Sequence, residues 1–154
     1  MNLIGGLILE IIKYIGAAFS TWFVGFFPYF EIYIAVPAGF AAGLNWFDAF
    51  FWASLGNWMV IPFVDICYEW LMKFNFMKKI MGKSLNGKWE NRIEKHGAWV
   101  ILLLTPLAGV WTIGVIAKAL KFNRAKLWIY SATSVGITGL ITPILIINGI
   151  TPVS

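Results

Sequence analysis

Residues 98–120, AWVILLLTPLAGVWTIGVIAKAL, decide the fold, because their apolar part 98–117 lies between two clusters of bases. Residues 73–95 hold seven bases and two acids, and residues 118–126 hold four bases and no acid. Since Lys and Arg favour the cytoplasmic face of a membrane, a complete crossing would place one cluster outside. A re-entrant hairpin that enters and leaves on the cytoplasmic side keeps both clusters inside. A kinked complete span is the alternative.

The centre of this run supplies a break, TPLAG at residues 105–109. Pro106 lacks the N–H that a continuous helix would use, and Gly109 permits a sharp reversal of the chain. Each arm of such a hairpin would span about 12 to 15 Å at helical rise, which reaches the midplane of a bilayer. The sequence therefore predicts a hairpin here.

The composition places this hairpin in lipid. The chain of 154 residues is 60% hydrophobic, 18% aromatic and only 12% charged, with a mean hydropathy of +0.77. A water-soluble domain needs about twice that charged fraction. The net charge of +5 lies entirely in residues 73–95, so it marks a loop and not a basic footprint for nucleic acid. No nucleic-acid partner is expected.

Three further runs are long enough to cross a bilayer as helices: 3–27, 46–72 and 127–149. Residues 28–44 are apolar but interrupted by Pro37, and they read as a second hairpin that enters from the outer face. The predicted fold is an all-α membrane protein with three full transmembrane helices and two opposed re-entrant hairpins. The N-terminus is then cytoplasmic and the C-terminus outside.

The hairpins and spans form two similar halves. At an offset of 80, Ala53–Gly56 aligns with Thr133–Gly136, and the charge argument makes the two halves inverted copies. Residues 28–72 are the first hairpin plus span, and residues 97–149 are the inverted second pair. Inverted repeats with broken helices place a substrate site near the midplane. One integral membrane domain over 1–154 is expected.

The usual catalytic constellations are missing from the sequence. Cys67 and His96 are each the sole residue of their type. Neither an intrachain disulfide nor a zinc site of Cys and His ligands can be built from them. The sequence predicts neither an enzyme nor a resident cofactor or metal.

Four motifs occur in one order: EIYIAVP at 31–37, SLGN at 54–57, EKHG at 94–97 and PLAGVWT at 106–112. Together they resemble the small multidrug export protein family, which is related to the DedA-like membrane proteins. The resemblance implies a transporter or lipid translocase in a prokaryotic cell (inner) membrane. Tyr33 departs from the pattern, which usually has Arg there. A mechanism that needs an Arg beside Glu31 is therefore in doubt.

Glu31 is the strongest candidate for a transport site, because placing a carboxylate at bilayer depth costs roughly 3 kcal/mol of free energy. The alternative is an interfacial Glu near outer water. The predicted transport path comprises Glu31, Tyr33, Pro37, Asn57, Pro106, Gly109, Trp111 and Thr112. The candidate counter-charges are Lys118, Arg124 and Asp65. The first two also suit ordinary inner-face anchors, and Asp65 also suits a structural network at the cytoplasmic interface.

Membrane lipids are the expected partners. Residues 73–95 carry an apolar stripe opposite bases, which predicts an interfacial helix on anionic inner-leaflet headgroups. Three spans enclose little cavity alone, so a homodimer is expected. The rival hypothesis is an accessory or assembly subunit of a larger membrane protein complex.

Overall fold

The computed structural model describes residues 3–28, 30–75, 78–79, 99, 101, 103, 105 and 109–147. The side chains of Glu31 and of residues 142–147 lie outside this description, as do Pro106 and most of the basic segment 73–95. Helices account for nearly all of the described residues, which contain no strand. The five main helices are α1 Leu3–Phe26, α2 Glu31–Ala41, α3 Trp46–Leu71, α4 Val110–Ala119 and α5 Arg124–Ile147.

The prediction of an all-α fold is confirmed for the described residues. Two helices, α1 over Ile4–Phe26 and α3 over Trp46–Leu71, are long and apolar enough to cross a membrane. Shorter apolar helices cover Ile32–Ala41 and Val110–Ala119. The number of complete spans and the re-entrant geometry stay predictions.

Helix α2 differs from expectation in where it ends. It runs through Pro37 to Ala41, and the chain turns only at Gly43, whose φ is 93°. Proline removes one helical hydrogen bond, which an otherwise packed apolar helix tolerates. The stronger stop signal is therefore the glycine beyond the helix.

Contacts group the chain into two compact units, the first formed by Met1–Asn57 with Gly139–Ser154 and the second by Trp58–Thr138. In the first unit, helices α1 and α3 approach closely at glycines. A Cβ on Gly25 would lie 2.5 Å from the carbonyl oxygen of Ala53, and one on Gly56 would overlap the carbonyl oxygen of Trp22. Small residues let apolar helices pack backbone to backbone in this way.

The second unit packs α3 against α4 through branched side chains. Gly114 faces Ile61 and Val64, with Ile61 Cδ1 3.3 Å from the position of an added Cβ. The rings of Phe63 and Trp111 meet edge to face at 5.9 Å. These contacts fix α4 beside the part of α3 that carries Asp65.

Much of helix α1 exposes apolar side chains. Few of its side chains are buried, and those of Ile4 and Phe19 are 72% and 62% exposed. In water such a surface would be an unusually large apolar patch, whereas lipid solvates it.

Candidate functional site

Asp65 is the buried acid of the second unit. It lies on α3, and its side chain is only 3% exposed. An ionised carboxylate among apolar helices needs opposite charges or hydrogen-bond donors. Two bases meet this need.

Lys118 and Arg124 hold one carboxylate oxygen each. Lys118 Nζ donates to Asp65 Oδ1 at 2.6 Å, and the Nε and Nη2 atoms of Arg124 both contact Asp65 Oδ2. The Lys118 side chain is 33% exposed and that of Arg124 67% exposed. We call Asp65, Lys118 and Arg124 the ion cluster. Its positive charges face solvent while its negative charge is buried.

The turn between α4 and α5 brings both bases to Asp65. Lys118 lies in the last turn of α4, and Arg124 is the first residue of α5. The Lys121 N–H donates to the Lys118 carbonyl at 3.1 Å, and the Phe122 N–H donates to the Ala117 carbonyl at 2.9 Å. These two bonds form a Schellman ending, which reverses the chain in few residues.

The start of α5 is fixed by Asn123, whose Oδ1 accepts the Lys126 N–H at 3.1 Å. This side chain satisfies one of the free N–H groups of the first helical turn. The positions of Lys118 and Arg124 are therefore set by backbone hydrogen bonds on both sides of the turn.

A cavity of about 230 Å³ opens at the ion cluster. Three residues line it beside the cluster itself: Lys121, Phe122 and Leu127. The sequence analysis names Lys118 and Arg124 as candidate counter-charges, but it does not single out these three residues. The sequence carries no signal for them, because the left-handed backbone of Lys121 appears only in the folded turn.

A larger cavity, about 350 Å³, lies in the first unit. Its lining is aromatic and apolar: Tyr14, Ile15, Ala18, Phe19, Trp22 and Trp52. Trp52 Nε1 donates to the Tyr14 hydroxyl at 3.3 Å. No charged group lines it, so it offers shape for an apolar group but no chemistry. The ion cluster is the stronger candidate site.

The predicted path residues fall in both units. Tyr33 is half-buried on α2, Pro37 is half-buried inside the same helix, and Asn57 is 1% exposed on α3. The backbone of Glu31 opens α2. Among the described residues, no hydrogen-bond partner reaches Asn57 Oδ1. Such an orphaned buried atom calls for a function or a bound molecule.

In the second unit, Gly109 precedes α4 with a φ of 83°, a conformation that glycine adopts readily. Its N–H donates to the Thr105 carbonyl at 3.0 Å. Trp111 is buried against Phe63, and Thr112 is half-buried one residue further on. Of the candidate residues, the structure joins Asp65, Lys118 and Arg124 in one site. These two bases neutralise Asp65.

The comparison with protein families is positive over most of the chain. The family described as "Putative small multi-drug export protein" matches residues 31–141. The match covers well over half of the sequence, and the chain belongs to this family. With the apolar helices α1 and α3, it identifies a membrane protein of an export family. No curated protein and no solved structure matches the chain.

Proposed function

We propose that the protein is an integral membrane transporter that uses the ion cluster as the polar element of its transport path. The observation that carries this proposal is the buried Asp65 carboxylate, held by Lys118 and Arg124 on a helix long enough to span a membrane. Ionisable groups at membrane depth are costly, and they recur in substrate and ion pathways.

The geometry suits exchange of partners. The two bases are partly exposed while Asp65 is not, so an anionic substrate can reach the bases from the cavity without first displacing α3. A substrate that takes over one base weakens the hold on Asp65. Binding can thereby be coupled to a change in the packing of α4 against α3.

Family membership supports export as the direction of transport in this proposal. We extend the proposal to lipid translocation, to a relation with the DedA-like proteins and to a prokaryotic inner-membrane location. These three extensions rest on the sequence motifs. A role for Glu31 in the same path rests on its position as an acid in an apolar segment.

Reconstitution into liposomes tests the proposal. The flux of fluorescent phospholipids and of small organic anions is measured for the wild type, Asp65→Asn and Glu69→Gln. Glu69 is the matched control, because it is an exposed acid one helical turn further along α3. We expect flux of at least one probe, reduced about tenfold in Asp65→Asn and kept in Glu69→Gln.

A parallel Glu31→Gln variant tests the hairpin acid separately. Equal flux in the wild type and Asp65→Asn would remove the ion cluster from the transport path. Equal flux in the wild type and Glu31→Gln would remove Glu31.

A further inference from the structure

The cavity beside the ion cluster carries more positive charge than Asp65 needs. Lys118, Lys121 and Arg124 line it together with this single acid. One negative charge against three positive charges leaves a surplus of two. Since Arg124 and Lys118 already satisfy Asp65, the surplus is available to a ligand.

Lys121 has a backbone conformation that is unfavourable for a lysine. Its φ is 53°, and it is the sole non-glycine residue with positive φ in the part of the chain that the structure describes. The left-handed conformation raises the free energy of an L-residue that carries a Cβ, whereas glycine adopts it without this cost. A lysine held in a strained conformation at the wall of a cavity points to a function for its charge.

The first turn of α5 also contains residues that the local structure disfavours. Arg124 and Lys126 lie where the helix dipole favours acids. Helix α3 follows the rule, with Asp48 in its first turn. Lys121 and Arg124 therefore line the cavity against two separate local preferences. A tendency of loops to be basic does not require these two bases to meet at one cavity.

We propose that this cavity binds a phosphate group, carried either by a lipid headgroup or by a soluble phosphate ester. Lys121 is the base of the cavity that does not contact Asp65, and Lys118 and Arg124 keep further N–H groups beyond those that reach Asp65. Guanidinium and ammonium N–H groups are donors that suit phosphate, and a surplus of two positive charges balances its negative charge. Phe122 and Leu127 add an apolar wall for the carbon skeleton beside the phosphate. Basic pockets between membrane helices bind anionic headgroups in the same way.

The inference deepens the proposed function and rests on it for the membrane setting of the cavity. It requires binding only. Either proposal can therefore fail while the other survives, provided that binding is measured without transport.

The experiment uses the full chain purified in detergent. Native mass spectrometry counts bound phosphatidylglycerol and phosphatidylcholine, and thermal denaturation measures stabilisation by inorganic phosphate. Lys121→Gln and Lys126→Gln are compared, because Lys126 is an exposed base of the same region that does not line the cavity.

We expect the wild type to prefer phosphatidylglycerol, and Lys121→Gln to bind it about fivefold more weakly, the effect of one base near a phosphate. Lys126→Gln should match the wild type. Retention of phosphatidylglycerol alone identifies a lipid headgroup as the source, and stabilisation by inorganic phosphate identifies a soluble ester.

A third variant separates binding from folding. Lys121→Gly removes the backbone strain together with the charge, so it should raise the denaturation temperature in the absence of ligand while weakening binding as Lys121→Gln does. Unchanged binding in both Lys121 variants would overturn the proposal.

Discussion

The turns after α2 and α4 share one construction and differ in one residue. Each ends a short helix with a Schellman pair of hydrogen bonds, made by Gly43 and Leu44 in the first unit and by Lys121 and Phe122 in the second. An asparagine then accepts a backbone N–H at the start of the next helix. The left-handed position is glycine in one turn and lysine in the other.

This difference separates a turn built for stability from one that carries charge. In the first unit, Gly43 is unstrained, and Asp48 complements the helix start. In the second unit, Lys121 is strained at the left-handed position, and Arg124 lies at a helix start that favours acids. Both residues line the cavity. Natural proteins depart from local rules mainly at functional sites.

The largest expected effect tests the packing of the first unit. In Gly56→Ala, the added Cβ overlaps the Trp22 carbonyl, so α1 and α3 must separate, and we expect a loss of about 3 kcal/mol in stability. Thermal denaturation in detergent measures it. The control is Gly16→Ala on α1, where nothing lies within 4 Å and a small gain is expected. Equal effects in both variants would break the account of the first unit.

The next effect tests the charge balance of the second unit. Asp65→Ala leaves Lys118 and Arg124 without their acid, and we expect a loss of roughly 2 kcal/mol, less than for a fully buried pair because both bases reach solvent. Asp48→Ala, the acid of the other turn, should cost about 0.5 kcal/mol. Chemical denaturation of both variants gives the comparison, and similar losses would contradict it.

Exchanging the residues of the two turns gives effects of opposite sign. Lys121→Gly should stabilise the protein by about 1 kcal/mol, and Gly43→Lys should destabilise it by a similar amount, since only one residue in each pair adopts φ above zero without strain. Hydrogen exchange of the peptides that contain each turn locates the change. Shifts of the same sign in both variants would refute the comparison.

The smallest effect concerns the aromatic cavity. Trp52→Phe removes the donor to the Tyr14 hydroxyl, and at 3.3 Å this bond contributes about 0.5 kcal/mol. A double-mutant cycle with Tyr14→Phe isolates the pair by thermal denaturation. Fully additive losses would show that the bond contributes nothing.

Much of the helical framework follows from the sequence, because apolar length sets helix length in lipid. The runs predicted at 3–27 and 46–72 match α1 and α3 within one residue at each end. Helix α5 begins at Arg124, three residues before the predicted start, because Asn123 caps it and charged residues can enter a first turn.

The internal repeat stays a prediction, and its predicted offset of 80 does not align the two similar turns. Asn45 has the same local role as Asn123, whereas an offset of 80 would pair it with Ala125. The capping hydrogen bonds of Asn45 and Asn123 thus relate the two turns at an offset of 78 and not 80. Whether the halves are inverted stays a prediction.

The site was predictable only in part. Charge scarcity singles out Glu31, whereas Asp65, Lys118 and Arg124 enter the sequence analysis only as candidate counter-charges. Which base reaches which acid depends on contacts between residues more than fifty positions apart, and periodicity carries no such information. The strain at Lys121 is likewise a backbone property that appears only in the folded turn.

The central claim is that Asp65 with its two bases acts in transport, whereas the glycine contacts of the first unit hold its helices together. The most direct test is flux per folded molecule in liposomes for Asp65→Asn and Gly56→Ala, with the folded fraction measured on the same samples. We predict a flux per folded molecule near that of the wild type for Gly56→Ala and about tenfold lower for Asp65→Asn. Equal flux per folded molecule in both variants would contradict the account.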